Sequence, residues 1–223
     1  MANPTWFGSG TITSGTGTVT PALPSSIETN DILLLFVETA NQAASISNQA
    51  GGSWVEVTGS PQGTGTAGGT AATRLTIFWS RYNGTQTAPT LADPGDHIVA
   101  RIGAVRGCVT SGDPWDVTAG GVESTSDTSG SIPGVTTTVA NTLVVTALAA
   151  SLPDATGTSQ YSGWSNANLT SLTERVDNTV TAGDGGGLAI ATGAKATAGA
   201  TGNTAVTLVN AATKGMMSIA IKP

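Results

Sequence analysis

The sequence predicts an all-β fold, an antiparallel, jelly-roll-like β-sandwich built from two pseudo-repeated halves, and three observations lead there. The stretches Asp31-Ile-Leu-Leu-Leu-Phe-Val-Glu-Thr39 and Asn141-Thr-Leu-Val-Val-Thr-Ala-Leu-Ala149 each place a polar residue before an apolar run that lacks Gly and Pro and is too short to span a membrane. A central strand buried on both faces reads this way. No convincing amphipathic helix lies between the apolar segments, and Ser45 to Ala50 is too short and too rich in Ser and Asn to make one. Finally, charged residues are 10% of the chain and glycine supplies 30 positions, against about 25% charge in ordinary globular proteins. A neutral, hydroxyl-rich chain with poor helix propensity packs sheet on sheet.

Taken in order, Ser9 to Thr20 alternates small hydroxyl residues with Gly and a few β-branched positions and predicts an extended edge segment. Pro21 and Pro24 end it, because proline cannot donate to a ladder. After the core strand Ile32 to Thr39, the segment Trp54-Val-Glu-Val-Thr58 alternates as a half-exposed strand should, with Trp54 as its anchor. A Gly- and Thr-rich loop, Gly59 to Gly69, leads to Thr73–Arg81, where Leu75, Ile77 and Trp79 share one face and Arg74, Thr76 and Phe78 the other. Asn83-Gly84 marks a turn before a short strand from Thr87 to Leu91. Asp93-Pro-Gly-Asp96 is a second turn, and His97 to Val105 a long apolar strand interrupted by Arg101 and Gly103.

After the connector at Asp113-Pro-Trp-Asp116 the pattern of the first half is expected to recur, the alternative being that any two Thr-rich β segments align this loosely. Ser129 to Pro133 echoes Thr16 to Pro21, Leu143 echoes Ile32, Gly163-Trp164 echoes Gly52 and Trp54, and Leu188 to Ala191 stands for Leu75 to Phe78. Thr204 to Leu208 stands for Thr87 to Leu91, and Met216 to Ile221 for Ile98 to Val105. The offsets drift gently, from 111 positions between Ile32 and Leu143 to 117 between Leu91 and Leu208, as a duplication with loop insertions would. The expected organisation is an N-terminal arm over 1–8, a first β half over 9–107, a connector over 108–121 and a second half over 122–223. The halves are either two small sandwiches or one larger one in which they interleave. Trp115 in the connector favours one compact unit, because a free linker would leave it exposed.

Charge and composition exclude several functions. A net charge of −6 with scattered Lys and Arg argues against nucleic-acid binding, which needs a basic stripe, and a mean hydropathy of +0.10 argues against disorder. Cys108 is alone, so it forms no internal disulfide or thiolate cage. The start Met1-Ala-Asn-Pro-Thr-Trp-Phe-Gly8 has neither a basic nor an apolar signal region. No apolar run approaches the ~18 residues of a transmembrane helix, so membrane insertion is not expected.

Candidate sites are few, and no cofactor is expected. Asp93, Asp96 and His97 form the sharpest cluster, a place where a hard cation could sit, although Pro-Gly between them is ordinary turn chemistry. Asp177-Asn178 with Asp184-Gly-Gly-Gly187 is a weaker oxygen-rich pair that reads as a glycine loop. No Ser sits in Gly-x-Ser-x-Gly with a visible base, and nothing pairs Glu38, Glu56, Glu123 and Glu174 for glycoside hydrolysis. Among five tryptophans, Trp54, Trp79 and Trp164 fall in core patterns. Trp6 with Phe7 is left as an anchor for a neighbouring subunit, and Trp115 as a platform on which a glycan would stack.

The core strand Asn30-Asp-Ile-Leu-Leu-Leu-Phe-Val37, a Gly-Trp opening, Arg106-Gly107 at a strand end, a Pro-Trp-Asp connector and the closing Met-Ser-Ile-Ala-Ile-Lys-Pro223 together resemble proteins encoded among the virion genes of tailed bacteriophages. The likeness runs from about Gly8 to Pro223. It implies a non-enzymatic virion structural protein, assembled in the host cytoplasm, that decorates or cements the capsid or belongs to the tail accessory apparatus. Its partners would be major capsid or tail proteins and further copies of itself, as in a homotrimer. A glycan-binding adhesin on the same sandwich is the alternative, and the resemblance supplies no catalytic residue.

Overall fold

The computed structural model describes residues 3–152 and 159–223, and among them there is no helix. The first half contributes nine strands: β1 (Thr5–Ser9), β2 (Thr13–Gly15), β3 (Ile32–Thr39), β4 (Ile46–Asn48), β5 (Val55–Glu56), β6 (Gln62–Thr64), β7 (Thr73–Arg81), β8 (Thr90–Leu91) and β9 (Ile98–Arg106). The second contributes β10 (Trp115–Ile132), β11 (Thr136–Thr137), β12 (Thr142–Ala150), β13 (Tyr161–Ser165), β14 (Thr170–Val180), β15 (Gly186–Lys195), β16 (Gly199–Ala200) and β17 (Thr204–Ile221). Every pairing is antiparallel.

Each half builds one whole sheet, so the strands of the two halves do not interleave. The first sheet runs β1-β9-β3-β7-β5 and the second β10-β17-β12-β15-β14. These orders are the same once β1 is matched to β10, β9 to β17, β3 to β12 and β7 to β15. Register agrees as well: Ile32 lies opposite Val105 and Arg81, and Leu143 opposite Ile221 and Ala194. Leu75 faces Glu38 as Leu188 faces Ala149. The match between the last strands starts earlier than Met216, because Ile98 pairs with Thr39 and Lys214 with Ala150. Trp54 and Trp164 are not equivalent: Trp54 precedes β5, which pairs with β7, whereas Trp164 lies on β13, which pairs with β17.

The sheets pack face to face, and strand alternation sorts the side chains into layers. Ile32, Leu34 and Phe36 of β3 meet Leu143, Val145 and Ala147 of β12, with Ile77, Leu188, Ile190, Met217 and Ile219, in one shared core. Leu33, Leu35 and Val37 point the other way, under a cover made by Val19, Trp54, Leu91 and neighbouring loops. Leu148 and Ala150 are covered in the same way by Ile132, Tyr161, Val206 and Leu208. Both faces of each central strand are therefore buried, which is why β3 and β12 carry no exposed residue.

The expected arm and connector take other roles. Trp6 lies on β1 at the edge of the first sheet, in register with Val105, 6.4 Å from the Phe36 ring, and over Gly103, where a Cβ would run into its indole. β10 starts at Trp115 inside the expected connector and crosses the expected boundary at 121 without interruption. It is an edge strand of the second sheet, joining the halves as part of the sandwich. No helix among the described residues is long and apolar enough to cross a membrane.

Candidate functional site

Of the ionisable residues that the sequence singles out, Glu38, Asp96 and His97 converge, with the Asp184 backbone beside them. His97 immediately precedes β9 and points between the sheets, and Glu38 is the last inward-facing position of β3. Both are fully buried. Nε2 of His97 lies 2.9 Å from Oε2 of Glu38, and Nδ1 lies 2.7 Å from Oδ1 of Asp96. The Thr73 hydroxyl donates to the other Glu38 oxygen at 3.0 Å. The glycine loop of the second half closes the cluster: the Asp184 N–H donates to Asp96 at 2.8 Å, and a Cβ at Gly186 would strike the Glu38 carboxylate. Only glycine lets the β15 backbone approach so closely.

The electrostatics follow from that geometry. Burial alone would discharge the imidazole, but the hydrogen bond and charge of Glu38, then those of Asp96, outweigh it and raise His97 to about 9. Burial pushes the Glu38 carboxyl up, with His97 and Thr73 pulling it down. Partial burial works against ionisation of Asp96 too, yet the Asp184 N–H and His97 hold its carboxyl below the usual range. The raised Glu38 and the raised His97 compete within a single hydrogen bond. An imidazolium is favoured, because Asp96 supplies a second, partly solvated carboxylate on the other ring nitrogen. The result is a charged strut between the sheets, buried at Glu38 and His97 and open to solvent only at Asp96.

The candidate cation site does not assemble. The Asp93 carboxylate is exposed and turns back to accept the Gly95 N–H at 2.8 Å, which closes the turn without His97. Among the described residues no group of three or more His, Cys, Asp and Glu side chains could hold a metal ion. The weaker pair splits in two: Asp184 joins the strut through its backbone, while Asp177 accepts the N–H groups of Gln160 and Tyr161, each at 3.0 Å.

The four glutamates do not meet either. Glu38 is sealed beside His97, Glu56 lies exposed on β5, Glu123 pairs with Lys214 at 3.1 Å, and Glu174 accepts the Trp164 indole N–H at 2.7 Å.

The aromatic candidates need correction. Trp115 is 8% exposed and packs edge-on against Trp79, with ring centroids 5.4 Å apart, inside the shared core. A buried ring offers no face to a pyranose, so Trp115 is a core residue. Trp6 is spent on its own sheet, whereas Phe7 remains 38% exposed with the Arg106 guanidinium 3.9 Å above its ring. Cys108 is quiet, since burial pushes its thiol up to about 12.

Sequence reasoning misses one charge altogether. Lys214 is fully buried in β17, at the place that Ile98 holds in the first sheet, and its ammonium lies 2.9 Å from Asp127 and 3.1 Å from Glu123. The β10 register breaks between Glu123 and Asp127, and that irregularity carries both carboxylates to one ammonium. A lone lysine inside an apolar strand sequence is the signal that could have found it.

What fold and site define together is an antiparallel β-sandwich of two like sheets, with buried ionic contacts at His97 and at Lys214. No known protein family, curated protein or solved structure matches the chain.

Proposed function

We propose that this protein is a non-enzymatic structural protein of a tailed-phage virion, decorating or cementing the capsid or serving in the tail accessory apparatus. One observation carries the reading: Glu38 and His97 are buried between the sheets, and with Asp96 and the Asp184 N–H they tie the halves together, so their chemistry serves cohesion. Sparse surface charge adds support, because a wall with few exposed basic residues offers little to trypsin-like proteases. Phe7, with Arg106 stacked on it at the edge of the first sheet, is the aromatic left for a neighbouring virion protein or a second copy.

The adhesin alternative loses the platform on which it stood, since Trp115 is in the core. Mass spectrometry of purified virions is the test, with the chain expected in many copies per particle. Recovery from the infected-cell cytosol alone would sink the proposal. Removing residues 1–8 would strip most of β1 from the sheet, so the interface is better probed by Phe7→Ser, which is expected to release the protein from particles while leaving its fold intact.

A further inference from the structure

A groove of about 420 Å³ opens on the flank of the sandwich, between the segment joining β1 to β2, the inward face of β9, and β14. Arg101 projects into this region from β9, and Arg175 from the irregular stretch of β14. Among the described residues neither guanidinium has a carboxylate within ion-pair distance, whereas Arg106 has two, Asp31 and Glu28. Arg101 donates through Nη1 to the Asn178 side chain at 2.9 Å, and its Nε is buried with no partner among the described residues. Arg175 uses Nε on the Thr192 hydroxyl at 2.8 Å and has no other side-chain hydrogen bond there.

The unused edge of Arg101 has a worked counterpart in the same strand. Arg106 grips both oxygens of Asp31 through Nε and Nη2, at 2.9 and 2.8 Å. In Arg101 the Nη2 end of that fork lines the groove, while Nε is shielded behind it and meets no protein acceptor among the described residues. Leaving a buried charged donor unpaired is costly, and the planar fork fits a carboxylate with two parallel bonds.

The two acids on the groove wall do not fill the role. Both Asp177 oxygens accept backbone N–H groups, and Glu174 accepts the Trp164 indole. Their carboxyl groups offset part of the charge of the two arginines, so the groove carries no large positive excess of the kind that favours a dianion. Ile12 and Val176 add an apolar wall, and Thr11 a hydroxyl-bearing side chain. Burial lowers both arginines from their ordinary value, consistent with charges that lack compensation.

We infer that this groove binds a small monoanionic carboxylate, held by Nη2 of Arg101 with Arg175 beside it. Because Arg101 belongs to the first sheet and Arg175 to the second, the ligand would also bridge the halves. The inference does not depend on the virion reading. It is tested by NMR titration of the full chain with glucuronate, lactate, glucose and inorganic phosphate, following the arginine Nε–H resonances.

A saturable shift of the Arg101 Nε–H with glucuronate or lactate, weakened at least about tenfold in Arg101→Gln and in Arg175→Gln, is expected, since each substitution removes a charge-assisted hydrogen bond. A preference for glucuronate identifies a sugar acid as the source of the carboxylate, and a preference for lactate a free hydroxy acid. No saturable shift with either acid overturns the inference, as does an equal response to neutral glucose or tighter binding of phosphate. If Arg101→Gln does not fold, the wild-type resonance and Arg175→Gln still decide.

Discussion

Raising the pH should loosen the sandwich at the His97 strut. The imidazole is held at about 9 in the fold, against 6.5 for the free side chain. Below pH 6.5 it is protonated whether the chain is folded or not, and the strut's contribution is fully present. Between 6.5 and about 9 only the folded chain keeps the proton, so stability falls as pH rises through this window. A displacement of about 2.5 pH units at about 1.4 kcal/mol per unit gives a loss of about 3.5 kcal/mol. Glu38 acts in the same direction, because burial raises its carboxyl and its ionisation in the fold is penalised above the ordinary value of 4.5.

The facing groups that set this behaviour are Glu38, Asp96 and Thr73 of the first half, with the Asp184 backbone of the second. Urea unfolding followed by tryptophan fluorescence, repeated from pH 5.5 to 9.5, reads the effect. His97→Gln keeps hydrogen-bonding capacity without a titrating ring and should flatten the slope between pH 6.5 and 9. Wild-type stability that stays constant across the window, or an equal slope in the variant, refutes the reasoning.

Three further perturbations separate the packing arguments. Trp115→Ala should cost about 3–5 kcal/mol in denaturant unfolding, the price of a large core ring, and a loss below about 1 kcal/mol would return Trp115 to the surface. Gly103→Ala should evict the Trp6 indole from β9, seen as a red-shifted emission and a destabilisation of about 1–3 kcal/mol; unchanged fluorescence contradicts the packing. Lys214→Met should leave stability within about 1 kcal/mol of wild type, because Glu123 and Asp127 are 28% and 41% exposed and rehydrate, while an apolar residue already serves at Ile98. A loss above about 3 kcal/mol would mean that the ammonium is needed where it lies.

The central strands were legible because burial on both faces leaves an unbroken apolar run, and β3 and β12 are such runs. Their shared register was legible too, since the offset between Ile32 and Leu143 is preserved in the pairing of both strands. The long edge strands β10 and β14 were not: much of their length is Thr, Ser, Gly and charged residues turned to solvent, with buried residues only near the ends, and hydrogen bonding to one neighbour leaves no mark on hydropathy. The Asp93–His97 turn was visible, whereas the partner that defines His97 lies 59 residues away on another strand. A clue was present in Glu38, a carboxylate closing a run of apolar residues, for a buried charge demands an opposite one. Trp115 misled because tryptophan beside Pro and Asp suggests a loop, while only the second sheet's edge shows where its ring goes.

The matching strand orders have a consequence for the chain as an object. Each sheet presents to the other an apolar surface that water would otherwise wet, so neither half has a finished interior by itself. A polypeptide carrying residues 3–107 alone would have to hide Ile32, Leu34, Phe36 and Ile77 against something, and the nearest match to the missing sheet is a second copy of itself. The molecule is organised as a tethered dimer, in which the segment around Trp115 replaces the diffusional search for a partner with a permanent one.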